Sequence, residues 1–498
     1  MSEFFLIAMS VLESLTTLFV FLLGLGVLAV IVIFIIDVTQ TKHAIRRNFP
    51  VIGRFRYMFE HMGEFFRQYF FALDREEMPF NRAQRSWAYR AAKGVDNTVA
   101  FGSTLALTPG TPIFVNCPYP TLAEDMQDPE PILVGPYARK PYDAPSFFNV
   151  SAMSYGSLSK PAVQALSRGS KMAGNWLNTG EGGLSEWHLE GGCDIVFQIG
   201  TAKYGVRDDD GKLSDDKLRE LGSIDQVKMI ELKLSQGAKP GKGGILPGGK
   251  VTEEIANIRG IPQGEDSISP NRHPEIDSAE DLLDMINRIR DVSGLPTGFK
   301  AVIGAYGWLD EVFALVRERG LETAPDFITV DSGDGGTGAA PMSLIDNVGL
   351  TIEEGLPLVV DKLCYYGLRD RVRVIASGKL INPADAAVAL CMGADFINTA
   401  RGFMFALGCI QALQCNKNTC PTGVTTHNKR LQRGLVPADK AERVAQYSKT
   451  MRKEIATIAH SCGVPEPHRL KRYHCRIVHE EGRSIPLDEI YPEVQPAF

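Results

Sequence analysis

Cys409, Cys415 and Cys420 stand six and five residues apart in GCIQALQCNKNTCPTGV, just behind the turn Ala400-Arg401-Gly402. Thiols at such intervals are ligands for soft metals, and a glycine-containing turn with an arginine offers N–H groups and positive charge to an anion. Cys415 and Cys420 flank the polar run Asn416-Lys417-Asn418-Thr419, and Pro421 follows the last thiol, as in many iron–sulfur runs. The spacing leaves three readings open: an iron–sulfur cluster, a zinc site completed by His427, or thiols acting only as small buried hydrophobes. Zinc is the poorer match, because three thiolates and one distant imidazole make an incomplete tetrahedral set. The six other cysteines lie at irregular intervals, which argues against a disulfide framework and for a reducing compartment.

A second anion-binding turn, Ser377-Gly378-Lys379, precedes the first by one strand and one helix. Both belong to a repeating pattern in which short apolar runs end in Gly or polar residues and helical stretches follow. The runs begin at Phe147, Asn175, Asp194, Met229, Gly298, Asp326, Arg373 and Asp395. Helices are expected over residues 160–172, 279–292, 309–319, 353–366 and 383–392. Eight alternations of this kind predict an α/β fold, a parallel (β/α)8 TIM-type barrel, and place the two turns after the seventh and eighth strands, the usual phosphate position of such barrels. A doubly wound open sheet is the rival, but it carries its glycine-rich turn after the first strand, and none stands there. The barrel predicts that chemistry gathers at strand ends, where Ser154, Glu181, Gln198, Gln236, Lys239, Lys300, Asp331, Asp334, Lys379 and Arg401 fall. Two insertions interrupt the pattern. Residues 204–227 are charged and read as solvent-facing; residues 240–277 include KPGKGGILPGGK, whose five glycines exclude a helix and predict a flexible loop or a lid over the barrel mouth.

At 498 residues, 44% hydrophobic, the chain can bury a barrel core with additions at both ends. A net charge of −6 with dispersed basic residues gives no footprint for nucleic acid. Residues 18–36 form an uncharged apolar run, about 28 Å long as a helix and so long enough to cross a bilayer. No basic residue precedes it, which weakens a cleaved signal peptide as the alternative. Lys42, Arg46, Arg47, Arg54 and Arg56 follow it, so a single span puts the bulk of the chain on the cytoplasmic side of the inner (cytoplasmic) membrane. The expected organisation is a membrane anchor over 1–43 (span about 15–37), a helical N-terminal extension over 44–130, the barrel with the thiol motif over 131–430, and a helical C-terminal extension over 431–498. The stripe Phe55, Met58, Phe59, Met62 and Phe66 has helical spacing and is expected to pack as core, with a membrane-surface role as the alternative.

The strings SAMSYGSLS, NTGEGG, KLSQGAKPGKGG, DSGDGGTGAAP and GCIQALQCNKNTCPTGV, in that order over residues 151–427, resemble the synthase domain of glutamate synthases, most closely their short membrane-anchored relatives. The resemblance implies FMN, a 3Fe-4S cluster on Cys409, Cys415 and Cys420, and synthesis of L-glutamate from 2-oxoglutarate and ammonia. It implies that Met153, Ser154 and Gln236 face the flavin ring and that Lys300 lies near its N1/C2 edge. Ser332, Gly335, Gly336, Gly378, Lys379, Arg401 and Gly402 would hold the ribityl and phosphate groups. Lys239 and Arg259 would grip the dicarboxylate, and Glu181 would orient the imine or ammonia. Read as residues alone, Lys239 and Arg259 are ordinary exposed loop cations and Glu181 a buried structural acid. Electrons would come from a ferredoxin or a reductase subunit through the cluster, and ammonia from solution or another subunit, since the chain begins MSEFF without the family's cysteine nucleophile and glutaminase domain. A homo-oligomer is compatible with the resemblance. Ile245 stands where the family commonly has glutamine, and Leu184 where its GEGG motif continues with an acid; both are expected near the substrate. These departures leave room for an FMN oxidoreductase of the same fold acting on another imine or 2-oxo acid, or for a membrane-bound electron-transfer subunit.

Overall fold

The eight apolar runs become eight parallel strands: β1 (Phe148–Val150), β2 (Leu177–Asn178), β3 (Ile195–Ile199), β4 (Val227–Lys233), β5 (Thr297–Val302), β6 (Phe327–Asp331), β7 (Arg373–Ser377) and β8 (Phe396–Thr399). In this computed structural model, which describes residues 2–480 and 482–497, they pair in sequence order and β8 pairs with β1, closing a barrel. Strands in such a barrel are covered on both faces, which is why they read as continuous apolar runs rather than alternating ones. The (β/α)8 expectation holds.

The helices begin and end where the sequence supplies caps. Lys160–Ala173 starts at Ser159, whose Oγ accepts from the Ala162 N–H at 3.3 Å, and ends at Gly174 in the left-handed region. It packs against Pro437–Ser461 so closely that a Cβ at Gly169 would lie 2.6 Å from Val444. At the N-terminal end of the barrel, fully buried Asp326 accepts from Arg371 at 2.8 Å and from the Thr297 N–H at 2.8 Å, with Arg290 at 3.4 Å. That network spends its charges on itself and leaves the other end of the barrel for chemistry. Inside the cylinder, buried Glu231 accepts from Asn178, Gln198 and Thr329 at 2.6–2.8 Å, tying β2, β3, β4 and β6 together.

Four local expectations are corrected. Residues 204–227 are not simply solvent-facing: helix Asp215–Ser223 buries Leu218 and Leu221 and packs on Ala279–Ser293, with only its outer face charged. The glycine-rich insertion is not bare loop: Ile245–Leu246 pairs antiparallel to Ser267–Ile268, with helix Glu253–Arg259 between them. The α-helices after residue 44 end at Ala92, with one 3-10 turn at Ala123–Asp125 beyond them; Pro112–Phe114 joins Cys475–Glu480 and Arg483–Pro486 in an antiparallel sheet, so the C-terminal extension is not helical throughout. Finally, Phe55, Phe59 and Phe66 are 52%, 61% and 41% exposed, and the stripe on Gly53–Phe66 is not core.

The chain divides into two compact units, Met1–Ala83 and Gln84–Phe498. The first is led by helix Ser2–Thr39, whose apolar stretch Phe4–Thr39 is long enough to cross a membrane. Near its end, Asp37 accepts from Arg54 at 2.8 Å and from the Val51 N–H at 3.0 Å, which fastens the following basic segment to the helix. The second unit holds the barrel.

Candidate functional site

All eight strands deliver side chains or backbone to one cavity at the C-terminal end of the barrel, with about 1310 Å³ of empty space, part of it open to solvent. Met153 and Ser154 follow β1, Glu181 follows β2, Gln198 lies on β3 and Lys233 ends β4. Lys300 comes from β5, Asp331 from β6, Gly378 and Lys379 from the turn after β7, and Arg401 from the turn after β8.

One wall sets two basic side chains beside two glycines. Gly378 has φ +134°, and a Cβ there would lie 2.2 Å from the Ser332 Cβ; a Cβ at Gly336 would lie 2.7 Å from the Arg401 Nε. Gly378 needs glycine because of its φ and its close approach to Ser332, whereas at Gly336 the neighbour is the movable Arg401 side chain. Arg401 donates to the Thr337 carbonyl at 2.5 Å, and Lys379 donates to Asp334 at 2.6 Å. Three residues assigned to this wall lie behind it. Ser332 accepts from the Ile352 N–H at 3.0 Å and bonds Asp334; Gly335 donates back to the Ser332 carbonyl at 2.9 Å; and a Cβ at Gly402 would run into the Tyr447 hydroxyl at 2.1 Å. They shape the wall and do not line the cavity.

The opposite wall carries charge pairs and two cations without acid partners. Lys300 pairs with Asp331 at 3.3 Å, and Asp331 also accepts from the Gly237 N–H at 2.8 Å. Lys233 meets Glu181 at 2.8 Å and donates to Gln236 at 2.5 Å, while Gln236 reaches Thr337 at 3.2 Å. Burial works to raise the Glu181 carboxyl, but Lys233, then Lys239 and Arg259, pull it below the usual range, so it is ionised. Lys239 and Arg259 are each 6% exposed, not the exposed cations that their loop positions imply. Arg259 donates only to neutral oxygens, Ser267 Oγ at 3.2 Å and the Tyr155 carbonyl at 3.3 Å, and its Nε is buried without a partner. Among the described residues no carboxylate lies within ion-pair distance of either cation. Burial pushes Lys239 down to about 8, aided by Lys233. The sequence reading missed Lys233; a lysine inside an apolar strand run was the available signal.

Arg259 is aimed from below. It ends helix Glu253–Arg259, which Thr252 caps and Gly260 terminates at φ +62°, and its guanidinium lies over the Tyr204 ring at 5.2 Å. Arg207 holds the helix end through the Gly260 carbonyl at 2.8 Å. The insertion expected to face solvent is therefore a support for the site. Ile245 lines the cavity, and Leu184 does not.

The thiols occupy one loop beside the cavity. Cys415 lines it, while Cys409 and Cys420 lie behind. The loop turns through left-handed Gln411, Leu413 and Asn418, and the Tyr89 hydroxyl donates to the Cys409 carbonyl at 2.6 Å. Burial raises Cys409; for Cys420 burial acts the same way but hydrogen bonds from Thr422 and Thr425 lower it. Among the described residues no group of three or more His, Cys, Asp or Glu side chains converges to hold a metal ion. The His427 Nε2 lies 2.8 Å from the Gly156 carbonyl. Three thiols thus lie on one loop, and Cys415 and Cys420 act to raise Cys409 further. Lys250, also unforeseen, is 2% exposed, with its Nζ 2.8 Å from the Ser157 carbonyl and 3.4 Å from that of Cys415. Burial lowers it to about 8 while Cys415 and Cys420 act in the opposite sense.

Residues 125–465 match the conserved region in glutamate synthase. The glutamate synthase large subunit-like protein YerD of Bacillus subtilis (strain 168) is 39% identical over 95% of this chain and 98% of its own length. The archaeal-type glutamate synthase [NADPH] of Dehalococcoides mccartyi is 32% identical over 69% of this chain and 66% of its own, and that of Thermotoga sp. (strain RQ2) 33% over 63% and 59%. A solved flavocytochrome b2 chain overlaps 80% of this chain and 79% of its own at 15% identity, with a TM-score of 0.45.

Proposed function

The chain belongs to the glutamate synthase family, and from that membership we propose that it makes L-glutamate by reductive amination of 2-oxoglutarate with ammonia. The observation that carries this reading is the pair Lys239 and Arg259, two buried cations facing one cavity whose one nearby acid, Glu181, is already ion-paired with Lys233. Three buried cations around one carboxylate leave an excess of positive charge that a dicarboxylate offsets on binding.

Two groups are implied: a flavin, whose seat the residues present fit, and a cluster, for which the three thiols supply the donor chemistry without converging on one point. The glycine cradle at Gly336 and Gly378 with Lys379 and Arg401 would hold the FMN phosphate, with Met153, Ser154, Gln236 and Lys300 around the ring. When bound, reduced FMN supplies a hydride. Cys409, Cys415 and Cys420 would hold a 3Fe-4S cluster, gathered as it binds, which supplies single electrons from a ferredoxin or a reductase subunit.

The chain's own residues have defined tasks. Lys239 and Arg259 bind the two carboxylates and fix which face of the 2-oxo carbon looks into the barrel. Ammonia condenses with that carbon, water leaves, and 2-iminoglutarate forms. Ionised Glu181 accepts hydrogen bonds from the nitrogen and orients it. Lys233, 2.8 Å from Glu181, holds that carboxylate in place and keeps it charged. Lys300, held by Asp331 at 3.3 Å, would set positive charge beside the flavin ring. Hydride addition at C2, with a proton at nitrogen, yields L-glutamate.

The helix Phe4–Thr39 would anchor the enzyme as a single span in the inner membrane, with the catalytic unit on the side of the basic residues 42–56. An anaerobic assay of the full chain with 2-oxoglutarate, 15N-ammonium and a reduced low-potential donor tests the reading by its labelled product. No glutamate from flavin-loaded protein would move the assignment to a second reading, reduction of a different imine or 2-oxo acid. That reading is favoured by Ile245, which presents an apolar side chain to the cavity.

A further inference from the structure

The basic segment that follows the apolar N-terminal helix folds back on the end of that helix. Asp37, directly after the apolar run 18–36, is fully buried and accepts from Arg54 Nη2 at 2.8 Å and Nε at 2.9 Å. Helix Gly53–Phe66 starts so close to the turn Ala44–Asn48 that a Cβ at Gly53 would lie 2.8 Å from the Ile45 carbonyl oxygen. The Arg46 guanidinium lies over the Tyr57 ring at 4.6 Å, and the His43 ring meets that ring edge-on at 5.4 Å. The side of the helix that carries Arg54 and Tyr57 is therefore the packed one. At about 100° per residue, Phe55, Phe59, Met62 and Phe66 form a different side, and the wider-wound residues Arg67–Phe71 carry it on to Phe70. Phe59, Phe70 and Phe71 are 61%, 74% and 73% exposed. An amphipathic helix in water turns its apolar face inward; here the polar side is covered and the aromatic side is bare. A bare aromatic face of this length needs a covering other than water.

We propose that helix Gly53–Phe66, with its continuation to Phe71, lies flat in the headgroup–acyl boundary of an anionic bilayer, its phenylalanines among the acyl chains. This rests on the single-span reading given above. Two observations select lipid as the covering. The bond from Asp37 to Arg54 sets the start of this helix where the apolar run ends, so the bilayer that receives the span is already within reach of the aromatic face. Over residues 40–71, Lys42, Arg46, Arg47, Arg54, Arg56 and Arg67 outnumber Glu60 and Glu64, a balance that suits anionic headgroups. The aromatic face itself is Phe-rich, the side-chain type that interfacial helices bury below the headgroups. The anchor then has two parts. A span alone leaves the emerging chain free to point in any direction, whereas a surface helix clamped to the end of the span makes it leave along the membrane plane.

The test uses the full chain with the photoreactive residue p-benzoylphenylalanine replacing Phe19, Phe59, Glu60 or Phe66, one at a time. Phe19 reports on the span, Phe59 and Phe66 on the aromatic face, and Glu60 on the exposed polar side of the same helix. Each protein is reconstituted into nanodiscs of phosphatidylcholine, alone or mixed with phosphatidylglycerol, and irradiated. Mass spectrometry then separates lipid adducts from protein cross-links, with native membranes irradiated in parallel. The expected result is lipid adducts at Phe19, Phe59 and Phe66, with a yield at Phe59 about tenfold above that at Glu60, and a higher yield at Phe59 when phosphatidylglycerol is present. Lipid adducts at Phe19 with none at Phe59 and Phe66 overturn the proposal, as do equal yields at Phe59 and Glu60. Cross-links from Phe59 to a second copy or to another protein overturn it too, by giving the face a protein covering. Equal yields at Phe59 in the two lipid compositions overturn the preference for anionic lipid. Absence of lipid adducts at Phe19 overturns the single-span reading itself. Should the probe at Phe66 prevent folding, Phe59 and Glu60, neighbours on one helix, still decide.

Discussion

The carboxylate of Glu181 lies 2.8 Å from the ammonium of Lys233, although one follows β2 and the other ends β4. The pair keeps an acid charged in a site from which burial alone would push it toward neutrality. Glu181→Gln is expected to lower kcat roughly 100-fold, within the range typical of general acid–base groups, while the apparent affinity for the 2-oxo acid changes little. Steady-state kinetics across ammonium concentrations check this; a kcat within threefold of wild type would remove Glu181 from the mechanism.

Lys239 sets a pH limit. Its ammonium is held down to about 8, so in the free enzyme it is cationic below that pH and neutral above it. A neutral amine does not attract a carboxylate, so kcat/KM for the 2-oxo acid is expected to fall about tenfold per unit above pH 8, with kcat less affected because bound carboxylate restores the ammonium. Lys239→Met should lose that limb and raise KM on the order of 10- to 100-fold, the worth of one hydrogen bond to a charged group. A profile unchanged by the substitution contradicts the assignment.

Gly378→Ala is expected to empty the cofactor seat without unfolding the barrel. The added methyl meets the Ser332 Cβ at 2.2 Å, and φ +134° disfavours any side chain. The readout is flavin per chain after gel filtration, with circular dichroism as the control for fold; full flavin content would show that the cradle lies elsewhere.

Cys415→Ser should separate the two cofactors. The protein is expected to keep flavin and lose most of its iron and acid-labile sulfide, because an alkoxide is a poor ligand to a soft cluster. Anaerobic iron analysis and the visible spectrum measure it. Unchanged iron would place the metal on other residues.

Deleting residues 1–43 should move the protein from the carbonate-resistant membrane fraction to the soluble fraction. Fractionation and immunoblotting decide it, and continued membrane association would assign the tether to another surface, with the exposed Phe55, Phe59 and Phe66 the first to examine.

The barrel was legible because each strand is an apolar run closed by a glycine or polar residue, and five helices were legible because they carry amphipathic spacing and end at caps such as Ser159 and Gly174. What stayed hidden depends on which face of an element is covered. Helix Asp215–Ser223 buries only Leu218, Leu221 and Gly222, so its charged outer face dominates the composition. Lys233 and Lys250 are lysines in apolar surroundings whose partners come from other loops, and no local pattern announces such pairings. The Phe55 stripe has the spacing of a core helix, but spacing states that a face is apolar and not what covers it. Leu184 was misplaced because adjacency in sequence to Glu181 does not survive the turn at Gly182 and Gly183.

The insertion after β4 contributes Lys239, Ile245, Lys250 and Arg259 to the cavity from twenty-one consecutive residues, while the anion-binding wall is drawn from β6, β7 and β8. On the proposed assignment, recognition of the acid and retention of the coenzyme would be encoded in different stretches of the gene. A recombinant chimera exchanging only that cassette would then retarget the catalyst to a new acid while leaving its prosthetic apparatus intact.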